Sequence, residues 1–484
     1  MKRTISFLLA AALSIGLCFG LVGCKETASE GSRYEINVEY LPETATLAGT
    51  VKVDYRNDTE NEISELKFNL FPNAYREDAA YKPVSPAYMP VAYYDGKDYG
   101  GMEISSVNGA KSWTIEGEDC NILCVQLERS LFPSENVTLD IGFLTKLAKV
   151  NHRTGVTEKA VNLGNFYPVL CAYGKDGFYE CAYYSDGDPF VSECADYTVK
   201  LTLPKDYVVA ATGKTVAERA LESKKEHTMV ATDVRDFAMV LSEEFEVETC
   251  EWRGVEIKYY YYDDETPSAH LALQKECVEF YSSAFGAYPY SVYSTVQTGF
   301  CYGGMEYPAL SMISDSLAEK DLIYTTAHEA AHQWWYAAVG SNQAENAWQD
   351  EGLAEYSCLK FFEKHENYGV DASVLVDGAT AEYRSYYDVY SRVFGEADTR
   401  MTRHLKDYLS DYEYRCIAYD KGLILFDTLE KTIGGKRVSA GLRNYYKDCK
   451  FTLAEPAHMI AAFEGTGVDV AGLFDSFLSG KAVI

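Results

Sequence analysis

Two histidines four residues apart, with a glutamate nineteen residues beyond the second, constrain this chain more than any other feature. In His328-Glu329-Ala330-Ala331-His332 the histidines are one helical turn apart. Both imidazoles can therefore point at one metal ion, with Glu329 beside the ion's open position. Glu351, in Asp350-Glu351-Gly352, follows at a distance that allows a turn and a second helix. Two His and one Glu leave a fourth tetrahedral position for water, the catalytic rather than the structural arrangement of zinc. The chain has only 8 His, so this spacing is a poor candidate for accident. The expected cofactor is one Zn2+ on His328, His332 and Glu351, with Glu329 as general base.

Composition narrows the rest. The 484 residues suffice for two or three domains, and 47% hydrophobic content supplies a large core. Lys and Arg number 44 against 73 Asp and Glu. A surface that tracks phosphates needs the opposite balance, so nucleic acid is excluded as a partner. The 40 Tyr, including the run Tyr259 to Tyr262, suit strands.

The N-terminus reads as a targeting segment. Lys2 and Arg3 precede an apolar run from Ile5 to Gly20 that is short for a membrane span. Leu21-Val22-Gly23-Cys24 resembles a bacterial lipobox. Residues 1–23 are thus expected to be a lipoprotein signal peptide, Cys24 the lipidated residue and 24–33 a tether. That places the protein on the extracytoplasmic face of a bacterial cell membrane, held through its lipid. An ordinary signal peptide or an uncleaved anchor are the alternatives. Beyond Cys18 and Cys24, eleven cysteines remain. Cys120 with Cys124, or Cys171 with Cys181, could pair, but the spacings are irregular and fix no bridge.

Residues 34–247 read as β. Tyr34 to Tyr40, Ala45 to Tyr55, Leu66 to Leu70 and Tyr197 to Leu203 alternate with the period of half-buried strands. Repeated strands with turn signals predict an antiparallel sandwich or saddle. From 248 to 484 strands give way to helices, as in an α+β domain. Helices are predicted over Ser268 to Phe285, Leu317 to Val339, from near Trp348, and over Asp420 to Thr432.

Four motifs in order resemble the zinc aminopeptidases of the membrane alanyl aminopeptidase family, whose catalytic domain looks like thermolysin. Gly303-Gly304-Met305-Glu306-Tyr307 is similar to the family's GxMEN loop. His328 to Trp335 is similar to HExxHxW, Asp350 to Ala354 to NEGFA, and Tyr419-Asp420-Lys421-Gly422 to Y-x-K-G. The resemblance implies a free-amine anchor at Glu306, substrate-backbone contacts from Gly303, Gly304 and Met305, and an oxyanion donor at Tyr419. It implies a peptide with a free N-terminus as substrate. Tyr307 stands where the family has Asn, and the chain ends before the large helical domain of longer members. The family's second amine anchor is unplaced, with Glu158 a candidate. Glu355, one turn after Glu351, either bonds a ligand histidine or stands in solvent. The alternatives to an aminopeptidase are an endopeptidase or specialised hydrolase on the same site, or a binding lipoprotein without activity.

Overall fold

Alternating burial builds the β-rich part. In the strand Arg33–Leu41 the side chains of Tyr34, Ile36, Val38 and Tyr40 turn inward and their neighbours outward. This computed structural model describes residues 31–482 and 484, so the targeting segment and Cys24 lie outside the described residues. A seven-stranded sheet runs in the order Lys214–Ala220, Lys224–Val234, Ala195–Pro204, Arg33–Leu41, Thr46–Arg56, Asn136–Lys146 and Gly101–Asn108. Its ladder is antiparallel except between Arg33–Leu41 and Ala195–Pro204, which pair in parallel, so the sheet is mixed rather than purely antiparallel. The parallel register sets Tyr34 opposite Tyr197, and their rings stack at 4.6 Å. Smaller sheets complete this part, one of them pairing Val161–Leu163 with Met239–Ser242.

A five-stranded sheet begins at Glu246 and runs in the order Glu246–Trp252, Val255–Tyr261, Val292–Thr298, Leu310–Ser314 and Gly304–Met305. The two-residue strand Gly304–Met305 forms one of its edges, antiparallel to Leu310–Ser314. Helix α1 (Pro267–Ala284) packs on this sheet and on α2 (Glu319–Ala331). The Tyr281 hydroxyl in α1 donates to the Ala327 carbonyl in α2 at 3.0 Å, which fixes the two helices in register. Helices α3 (Glu351–Phe362) and α4 (Lys421–Ile433) follow. Among the described residues no helix is long and apolar enough to cross a membrane. All eleven described cysteines are free thiols, including Cys120, Cys124, Cys171 and Cys181.

The metal helix is shorter than its sequence pattern. Leu317 to Val339 reads as one helix up to Gly340, but regular α geometry stops at Ala331. A wider turn covers Gln333–Ala338, with Trp335 at φ −108°, ψ 63° and Tyr336 at φ 160°, ψ −66°. Within it Ala337 N and Val339 N donate to the carbonyls five residues back, His332 O and Trp334 O, and distant donors take the carbonyls at its end. Ala337 O accepts from the Tyr290 hydroxyl at 3.0 Å and from Arg235 Nε at 3.3 Å, and Ala338 O accepts from Phe451 N at 2.6 Å. No local pattern encodes these partners.

Candidate active site

The ligand set comes from two helices. His328 and His332 share one face at the end of α2, and Glu351 opens α3 behind the Asp350 cap, whose carboxylate accepts from Glu351 N at 2.8 Å. The two Nε2 atoms lie 3.0 Å apart, and Glu351 Oε2 is 3.2 Å from one and 3.3 Å from the other. Tetrahedral bonds of 2.0–2.1 Å require ligand atoms about 3.3 Å apart, so this triangle has the size of a zinc site. One of the outer nitrogens is also committed. His332 Nδ1 is 3.0 Å from Trp335 O, a contact that the bend after Ala331 makes available. His328 Nδ1 lies 3.0 Å from the Glu355 carboxylate, whose other oxygen accepts from the Tyr324 hydroxyl at 2.5 Å. The Trp335 acceptor on His332 Nδ1 fixes the tautomer that leaves its Nε2 lone pair facing the centre, whereas His328 Nδ1 is near Glu355 without a hydrogen bond.

The electrostatics fit a cation. Burial alone would keep His332 neutral, yet the Glu306 and Glu351 carboxylates outweigh it and lift the imidazole to about 10. Against its own burial, Glu351 is held well below the usual carboxylate range by His332 and His328. The geometry and charge of the cluster therefore match the zinc expected from sequence.

Two glycines bring the remaining groups in. A Cβ on Gly352 would lie 2.8 Å from Gly422 Cα, and one on Gly422 would lie 2.6 Å from Gly352 Cα. Helices α3 and α4 thus cross backbone to backbone, which only glycine at both positions permits. That crossing sets Tyr419 beside the cluster, its ring stacked on His328 at 5.8 Å and 9°. Burial and the nearby Glu351 hold the Tyr419 phenol well above its ordinary value, so it keeps its proton and can donate it in a hydrogen bond.

A cleft opens over these residues. Glu329 lines it, 5% exposed, and its Oε2 has no hydrogen-bond partner. Gly303 and Gly304 form one wall. A Cβ on Gly304 would lie 2.4 Å from Glu329 Oε1, so the edge strand closes directly over that carboxylate. Glu306 faces the cleft, while Met305 is absent from its lining. Strand alternation explains the difference. Met305 turns into the β-rich core, where Arg153 Nε lies 3.0 Å from its sulfur.

Sequence reasoning missed the contribution of the β-rich part. Glu158 is exposed and outside the lining, whereas Asp188 and Arg153 are buried and within it. Arg153 pairs with Asp188 at 2.6 Å. Burial raises the Asp188 carboxyl while Arg153 opposes. Oxygens of Asp188, Glu306 and Glu351 lie within 4.8 Å of one another. Asp186-Gly187-Asp188-Pro189 carries turn chemistry, the only local signal that could have marked this loop. Tyr302, Asp411 and Tyr414 also line the cleft.

Comparison with known proteins agrees with this geometry. Residues 269–477 match the peptidase family M1 domain. The aminopeptidase N of Haemonchus contortus is 26% identical over 242 residues, which are 45% of this chain and 24% of that protein. The leukotriene A-4 hydrolase of Xenopus laevis is 27% identical over 152 residues, 30% of this chain and 24% of that protein. The chain thus spans about a quarter of the length of these relatives. A crystal structure of a variant M1 zinc metallopeptidase from Deinococcus radiodurans superposes with a TM-score of 0.65 at 18% identity, covering 94% of this chain and 96% of that one. The fold is shared along almost all of the chain, and the matched domain contains every zinc-ligand candidate. The segment 269–477, with His328, His332 and Glu351 inside it, is thus similar to the peptidase family M1 domain, and the fold is that of the M1 zinc metallopeptidase structures.

Proposed function

We propose that the protein is an aminopeptidase that removes N-terminal residues from peptides. The observation that carries this reading is the carboxylate cluster of Asp188, Glu306 and Glu351 beside the two ligand histidines. Arg153 supplies one positive charge against it. With zinc against Glu351, one carboxylate is left over, and a substrate α-ammonium supplies its counter-charge in charge-assisted hydrogen bonds worth about 1.5–3 kcal/mol each. An amine held there leaves the first peptide bond as the one that reaches the metal position.

Zinc on His328, His332 and Glu351 supplies Lewis acidity to a water and to the scissile carbonyl. The protein does the rest. Glu329 takes the proton of the attacking water and delivers it to the leaving amine. Burial raises its carboxyl, His328 opposes and Glu306 adds, so it is a stronger base than a solvated glutamate. Tyr419 donates to the oxygen on which negative charge develops. The strand Gly304–Met305 offers its unpaired edge to the substrate backbone.

Glu306→Ala tests the anchor. It should lose about one to two decades of kcat/KM on free-amine substrates, the size of a lost charged hydrogen bond, with zinc retained. Unchanged kcat/KM would remove Glu306 from recognition. Tyr419→Phe deletes only a hydroxyl, and kcat should fall about 10²–10³-fold with little change in KM. A change confined to KM would make Tyr419 a binding residue instead.

A further inference from the structure

The residue that departs from the GxMEN resemblance is also the most firmly held in its loop. Tyr307 is fully buried and belongs to the β-rich core, although Glu306 beside it faces the cleft. Its hydroxyl donates to Asn165 Oδ1 at 2.9 Å. Asn165 Nδ2 in turn donates to Asp236 Oδ1 at 3.0 Å, and the other Asp236 oxygen accepts from the Tyr336 hydroxyl. Tyr336 lies in the bent segment that follows His332. The Tyr307 carbonyl accepts from Gln333 Nε2 at 3.2 Å, and Gln333 is the residue next to His332. The amine-anchor loop and the metal helix are therefore joined twice, once through Gln333 and once through the chain Tyr307, Asn165, Asp236, Tyr336.

The receiving socket is shaped for this hydroxyl. A Cβ on Gly164 would lie 1.9 Å from the Tyr307 oxygen, so only glycine admits the ring there. Asn165 follows with φ +49°, a left-handed conformation that asparagine tolerates better than most residues. Met305 is fixed on the other side of Glu306 by its ladder with Met312. Glu306 is thus suspended between two immobilised neighbours, both anchored in the β-rich core.

We infer that Tyr307 is a positioning residue: seated in the Gly164–Asn165 socket, its hydroxyl sets the Glu306 carboxylate relative to the zinc ligands and so tunes capture of the substrate amine. This rests on the aminopeptidase reading. A group of this kind acts through distance, and a 1 Å misplacement at a reacting centre costs up to about 10²-fold. Loss of one hydrogen bond from a loop still held by Gln333 should cost less, about tenfold.

Tyr307→Phe keeps the ring and removes the hydroxyl. Asn165→Gly removes the acceptor and suits the left-handed backbone. Both purified full-length variants should retain one zinc per chain. On a free-amine aminoacyl reporter amide each should raise KM about tenfold with kcat within about twofold of wild type. Discrimination against the N-acetylated reporter should shrink by the same factor. In a Glu306→Ala background Tyr307→Phe should have less than about a twofold further effect, because it acts through that carboxylate. Wild-type KM in both single variants, or full additivity with Glu306→Ala, would overturn the inference and leave the aminopeptidase reading intact. A wild type that fails to discriminate free from acetylated amines would remove the reading and the inference together.

Discussion

Glu329→Gln should keep one zinc per chain and lose about 10²–10⁴-fold in kcat, the range that a positioned general base contributes. The expectation rests on the geometry of the cleft. Glu329 is not one of the three clustered ligands, and its Oε2 has no protein partner. The amide matches the carboxylate in size and fits under Gly304, where the space is too small for a Cβ. It cannot accept a proton. KM should change little, since the proposed amine anchors are Glu306 and Asp188 rather than Glu329. Steady-state kinetics with zinc content measured on the same sample checks this. Turnover near the wild-type rate would show that another group is the base, and loss of zinc would show that Glu329 supports the ligand set instead.

His332→Ala should abolish activity and most zinc binding. Its Nε2 closes the ligand triangle at 3.0 Å from His328 Nε2, and no other described histidine is within the cluster. The substitution also leaves the buried Trp335 carbonyl without its 3.0 Å partner, at a cost of about 1–3 kcal/mol in stability. Circular dichroism should still report a folded chain, because α2 stays packed on α1 and α3. Elemental analysis after dialysis gives the decisive number. One full equivalent of zinc in this variant would break the assignment of the ligands.

The metal ligands are legible in the sequence because local geometry encodes them. Residues four apart on a helix must share a face, and the nineteen residues to Glu351 leave room for a turn and a second helix. The glycines of Glu351-Gly352 and Lys421-Gly422 are legible as motif letters, but their physical reason, the contact between two helix backbones, exists only in the fold. The predicted helix over 317–339 ran too far because Trp334 to Val339 stay apolar without a breaker. The end of the bent segment is held by Arg235, Tyr290 and Phe451, which are distant in sequence. Asp188 was invisible for the same reason. It reaches the cleft from an irregular stretch whose position depends on the β-rich core, whereas the sequence distinguishes Glu158 only as an acid in the same part of the chain. Met305 and Glu306 stand together in the motif, but strand alternation turns them to opposite sides.

The central claim is that paired carboxylates at the end of the cleft select a free α-amine. It is tested most directly by kcat/KM of the wild type on an aminoacyl reporter amide and on its N-acetylated form, each with and without a zinc chelator. An acetylated nitrogen carries no charge for Asp188 and Glu306 to pair with. The free-amine reporter should be preferred by about two decades, and chelator should abolish its cleavage. Equal rates on both forms, or faster internal cleavage of blocked peptides, would contradict the account and point to an endopeptidase on the same zinc site.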